Sequence, residues 1–166
     1  MDDARQELAE AANRAGIGSD ELRLVRSTRY ESLLVAIVER FTTLGKPGLQ
    51  SLWWWESFRP PMLSRHIADA DRWLRDLLPD EDRVWFIAED WPRTKRHGNY
   101  WLYDAKRSRL PDLLAEMFPF EYYVASKKLD WLFAENHHDV VFAVGNPAIE
   151  KLQRFAPPSS AGWSDL

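Results

Sequence analysis

The densest group of chemically capable side chains in the chain is the run Glu135-Asn136-His137-His138-Asp139. Two imidazoles between carboxylates form a metal-ligand inventory, and with Lys127 they make a candidate set for metal-assisted hydrolysis. The spacing argues against it. On a helix, adjacent histidines point ~100° apart, whereas a shared ion is served by ligands at i and i+4. As the end of a helix the same run is favourable without any ligand, because imidazolium complements the C-terminal dipole. A second group is Glu89-Asp90, followed by Lys95. Paired carboxylates can divide acid and base roles when their surroundings separate their pKa values. Neighbours on a strand face opposite ways, however, so a charged turn is the plainer expectation.

Aromatic side chains are the compositional outlier. Nine of 166 residues are Trp, and Trp53, Trp54 and Trp55 are consecutive. Each indole buries ~150–250 Å² when enclosed, so a small interior is expected to leave some outside. Trp, Tyr and Arg dominate binding hot spots. The expected partner contacts are therefore Trp53, Trp54, Trp55, Glu56 and Arg59, then Glu89, Asp90 and Trp91. Tyr123, Lys127, Asn136, His137 and His138 complete the set.

Charge is unevenly spread. Residues 91–109 hold Arg93, Lys95, Arg96, Lys106, Arg107 and Arg109 against one acid, Asp104, a local charge of +5. The whole chain carries −4, so the remainder carries −9. That balance disfavours nucleic acid as the main partner. A module built on Arg93 to Arg109, with Tyr100 and Trp101 as stacking faces, remains an alternative reading. Cysteine is absent, which removes disulfides, thiolate metal sites and cysteine nucleophiles together. No phosphate-cradling glycine loop and no Gly-x-Ser-x-Gly elbow occurs. The first 13 residues are acidic rather than basic and apolar, and no run approaches the ~20 apolar residues that span a bilayer. The expectation is a soluble cytoplasmic protein without a cofactor or a membrane partner.

The elements that must position these groups follow from periodicity. Residues 2–15 read as a helix with a narrow alanine stripe. Residues 28–44 read as a core helix, with Thr28 and Glu31 at capping-box spacing. Residues 49–58 are ambiguous, since three adjacent Trp cannot all point one way in a helix or a strand; a strand would bury Trp53 and Trp55 and turn Trp54 to the other face. Residues 64–78 read as a third helix. Strands are expected at 84–88, 100–103, 121–125 and 140–144. Helices are expected from Pro111, with Leu113, Leu114, Met117 and Phe118 inward, over 127–138, and over 147–155 behind an Asn146 cap. The fold class is thus α+β: N-terminal helices packed on a small sheet of about four strands, with C-terminal order ββαβαβα. Strands at 121–125 and 140–144, if paired, would be parallel with a right-handed crossover. One domain over 1–156 with one core, and a loose tail at 157–166, completes the expectation.

The stretch Phe120-Glu121-Tyr122-Tyr123-Val124-Ala125-Ser126-Lys127-Lys128, then Trp131-Leu132, then Glu135-Asn136-His137-His138-Asp139, resembles the uncharacterised bacterial DUF6756-like family. The Trp53-Trp54-Trp55-Glu56-Ser57-Phe58 run, Val84-Trp85-Phe86 and Asn99-Tyr100-Trp101 agree with it, so the resemblance spans residues 53–152. It carries no catalytic residue with it. Small acidic αβ proteins of this kind are similar to the SUKH-like immunity proteins that neutralise bacterial toxins. The resemblance implies a binding protein: an immunity protein or antitoxin that occludes a toxin effector.

Overall fold

A computed structural model of the chain describes residues 4–90 and 100–157. Its centre is one seven-stranded sheet in which every neighbouring pair is antiparallel. The strands are β1 (Leu22–Leu24), β2 (Met62–His66), β3 (Arg83–Glu89), β4 (Tyr100–Lys106), β5 (Tyr122–Ser126), β6 (Leu132–Glu135) and β7 (Val140–Val144). Their spatial order is β1-β4-β3-β5-β6-β7-β2. Among the described residues five α-helices accompany them: α1 (Ala4–Arg14), α2 (Ser27–Phe41), α3 (Leu74–Leu77), α4 (Leu110–Ala115) and α5 (Asn146–Arg154).

The sheet is covered on both faces, because strand side chains alternate and both sets are apolar. Val84, Phe86 and Ala88 of β3 join Tyr122, Val124, Phe133, Val141 and Ala143 beneath α1, α3, α4 and α5. Trp85 and Ile87 join Tyr123, Ala125, Leu132, Ala134 and Phe142 beneath α2 and Trp54. Two cores therefore flank the sheet where one was expected, which is why β3 reads as an unbroken apolar run.

The expected small sheet with ββαβαβα order is overturned. The decisive stretch is 127–138, read as a helix from Leu129, Leu132 and Phe133. It is instead a tight turn followed by β6. Ser126 Oγ accepts hydrogen bonds from the N–H groups of Asp130 (2.7 Å) and Trp131 (3.4 Å), and Leu129 takes a left-handed φ of 59°. Trp131-Leu132-Phe133-Ala134 is a four-residue apolar run, whose period fits either element. Because it is a strand, β5, β6 and β7 form an antiparallel meander, and the parallel crossover does not exist.

Three other expectations fail for local reasons. Residues 64–78 supply edge strand β2 and a four-residue helix, since Met62–His66 alternates between exposed and half-buried positions beside β7. The strand considered for the ambiguous stretch 49–58 is absent: two 3-10 turns, Lys46–Gln50 and Trp54–Ser57, stand there with Trp53 left-handed between them. The capping box at Thr28 and Glu31 is absent, because α2 starts at Ser27 behind Arg26 with no side-chain cap.

Gly145 fixes the joint between β7 and α5, with φ +87° and its N–H donating to Pro61 O at 3.1 Å. Asn146 is the first helical residue rather than the cap. A Cβ at Gly145 would meet the Asp130 carbonyl oxygen at 2.3 Å. Gly145→Ala is expected to lower stability by about 2 kcal/mol, read by urea denaturation, from left-handed strain and the backbone clash together.

Candidate functional site

One end of the sheet collects the acids. Glu89 closes β3, Glu121 precedes β5, Glu135 closes β6, and the turn Asn136-His137-His138-Asp139 joins β6 to β7. The turn is not a helix end. Asn136 Oδ1 accepts hydrogen bonds from the N–H groups of His138 (2.9 Å) and Val140 (3.1 Å), and Asp139 N–H reaches back to Asn136 O at 3.2 Å. An Asn that hydrogen-bonds the backbone two residues on makes such a turn by itself. It brings the His137 and His138 rings to 3.8 Å, beside Trp53 and Trp55.

Strand alternation divides the acids between the two faces of this end. On the α4 face, Asp69, Asp71, Glu135 and Asp139 line a groove of about 160 Å³, with Met117, Phe118 and Phe120 along its apolar wall. Tyr122 donates its hydroxyl to Glu135 at 2.7 Å. Burial pushes the Glu135 carboxyl up to about 7, and the nearby Asp71 and Asp139 charges push the same way against that hydrogen bond. Burial raises Asp71 as well. Phe118 stands 86% exposed at the lip. It lies beyond the end of α4 at Ala115, so it does not belong to the buried helix face expected for it.

On the α2 face, Glu89 and Glu121 sit side by side, with Glu89 N–H donating to Glu121 O at 3.1 Å. Glu89 Oε1 accepts from Trp53 N–H at 2.8 Å and from the Tyr100 hydroxyl at 2.9 Å. Burial raises its carboxyl to about 7 despite both donors. Glu121 holds the backbone N–H of His137 at 3.2 Å and also its Nδ1. Trp53 has φ 60°. Trp53, Asp69 and Asp139, three of the four non-glycine residues at positive φ among the described residues, all border this end. Backbone strain of that kind concentrates at functional sites.

The expected contacts fall into different places. Trp54 and Tyr123 are fully buried and cannot touch a partner. Glu89, Asp90 and Asn136 are also enclosed, and Asp90 accepts from the Trp101 indole at 2.9 Å. Trp53 and Trp55 are half-buried, Glu56 and Arg59 are exposed on the neighbouring turn, and His137 and His138 are exposed at the site. Trp91 lies outside the described residues. None of the seven described indoles is exposed, because two cores rather than one absorb them.

Lys127 is at the opposite end of the sheet. It lies 3.4 Å above the Trp85 ring and 2.9 Å from Asp104. Burial alone would raise Asp104, but hydrogen bonds from Lys127 and Arg83 outweigh it and hold the carboxyl low. A hydrolytic set joining Lys127 to the histidines is therefore not assembled. Among the described residues, no three His, Asp or Glu side chains are placed to hold a metal ion. Two arginines of the basic stretch are also committed. Arg107 donates to the Arg75 and Leu78 carbonyls, and Arg109 to Ala15 O and Asp112. Arg93, Lys95 and Arg96 lie outside the described residues. Among those described, no helix is long and apolar enough to cross a membrane.

Asp69, Asp71 and Phe118 went unnoticed as site residues. Asp69 and Asp71 sit far in sequence from Phe118 and Glu135, and only the antiparallel meander, with β2 returning beside β7, brings them together. The chain is thus an αβ protein whose sheet, closed between two helical layers, ends in a partly buried acidic rim. It belongs to a family of unknown function, DUF6756, whose model matches residues 1–156 and so takes in the two N-terminal helices. Neither the curated proteins nor the solved structures contain a match.

Proposed function

We propose that this chain is a protein-binding protein that captures a basic partner on the acidic end of its sheet. In this reading it is an immunity protein or antitoxin, and the partner is a bacterial toxin effector whose working surface it occludes. The observation that carries the reading is Phe118, 86% exposed at the lip of a groove lined by Asp69, Asp71, Glu135 and Asp139. The exposed ring supplies area to bury against a partner, and the carboxylates beside it steer and orient the approach of a basic surface. A stable interface buries ~800 Å² on each partner, so the groove is its centre and the exposed His137 and His138 turn its rim. Glu135 closes paired strand β6 and its carboxylate is held by the Tyr122 hydroxyl, which limits the ordering cost of binding at that position.

The test is capture from the native host with two baits, the unaltered chain and Asp69→Lys/Asp71→Lys. The expected result is a basic protein retained by the first bait and lost from the second, toxic when expressed alone and harmless when co-expressed with this chain. A partner retained equally by both baits, or one whose expression is harmless, contradicts the reading.

A further inference from the structure

Glu89 and Glu121 present a separate problem from the groove. They are directly opposite each other on adjacent strands, one closing β3 and one entering β5. Like charges in that position destabilise a strand pair. Both residues are enclosed, at 2% and 5% exposure, and each keeps one carboxylate oxygen, Oε2, buried with no hydrogen-bond partner among the described residues. Buried carboxylate oxygens are costly without donors. The same two residues line a cavity of about 320 Å³, walled by Pro119 and Phe120, with His137 beside it.

The complement of this cavity must present N–H donors to two carboxylates at once and lay an apolar body against Pro119 and Phe120. A metal ion does not fit, since no third ligand of the described residues is placed to complete a site. An ammonium ion is compact and strongly hydrated. A guanidinium is a flat fork with five donors, weakly hydrated, and suited to carboxylates and aromatic walls together. We infer that the cavity formed by Glu89, Glu121, Pro119 and Phe120 binds a guanidinium group carried on an apolar stem. The two carboxylates lie on the other face of the sheet from Glu135, and the cavity meets the groove only through Pro119, Phe120 and His137, which line both.

Calorimetric titration of the full chain tests this at pH 8 with n-butylguanidinium, n-butylamine and a blocked Gly-Arg-Gly peptide. Butylguanidinium is expected to bind at least tenfold tighter than butylamine. Glu121→Gln and Glu89→Gln are each expected to weaken it at least tenfold while the variants unfold at or above the parent temperature. If the blocked peptide binds as well as butylguanidinium, the natural occupant is an arginine side chain of another polypeptide. If only the free compound binds, it is a small alkylguanidine. No heat with either, or equal binding of butylamine, overturns the proposal.

Discussion

Replacing Trp54 with alanine is expected to lower the unfolding free energy by about 4 kcal/mol, the cost of emptying a large aromatic site in a packed core. Trp54 has no exposed surface. Its ring stacks on Tyr100 at 4.0 Å between centroids and leans on Tyr123 at 5.0 Å, and its indole N–H donates to Gly48 O at 2.8 Å. The site cannot collapse, because Gly48 is already so close to Val38 that a Cβ there would lie 2.6 Å from its Cγ2. Tyr100 also holds Ser51 O and Glu89, so the loss of Trp54 loosens the floor beneath both carboxylates on that face. Urea denaturation measures the change. A loss under about 1 kcal/mol would place Trp54 outside the core and return it to the surface role that its sequence context invites.

The second large effect is on pH. Glu89 and Glu135 both have carboxyls raised from the ordinary 4.5 to about 7, by burial in each case. The folded state therefore binds more protons than the unfolded state between these values. Their contribution is fully present below about 4.5 and is lost as pH rises through 7. Integrated over that window, each group is worth at most about 3 kcal/mol. The chain is expected to be more stable at pH 5 than at pH 8, with most of the decline between pH 5.5 and 7.5. Glu89→Gln, which keeps the shape and cannot ionise, should remove roughly half of the decline and leave the protein firmer than the parent at pH 8. Asp104 works in the opposite sense but in another window, since its lowered carboxyl loses its contribution only in stronger acid. A stability that rises from pH 5 to pH 8 contradicts the burial of these two carboxylates.

Periodicity located the elements whose pattern admits one reading. Helices α1 and α2, strands β3, β4, β5 and β7, and helices α4 and α5 all lie close to where their apolar spacing puts them. It failed where a short apolar run fits two periods, as at Trp131-Leu132-Phe133-Ala134, and where the backbone makes an unusual turn, as at Trp53. The strand-for-helix exchange at β6 replaced a parallel crossover with a meander, and the unread edge strands β1 and β2 account for the rest of the difference. The site was legible only in part. Glu89 drew attention as a strand-end acid and does close β3, whereas the cluster Glu135 to Asp139 drew attention as a helix end and is a turn between strands. Nothing in the local sequence joins Asp69 and Asp71 to Glu135, or Glu121 to Glu89, since strand pairing between distant segments does that. The surplus of indoles misled for a similar reason: a sheet buried on both faces has room for them.

The most direct test of the acidic rim as a recognition surface is the dissociation constant of the captured basic partner from the unaltered chain and from Phe118→Ala, with melting temperatures measured on both. An 86% exposed ring has little packing to lose, so the melting temperature should stay within about 1 °C. Affinity should fall about 30-fold, the mark of a hot-spot residue worth ~2 kcal/mol. Equal affinity for the two proteins would mean that the partner is gripped elsewhere and that the acidic end of the sheet is not the surface this fold uses.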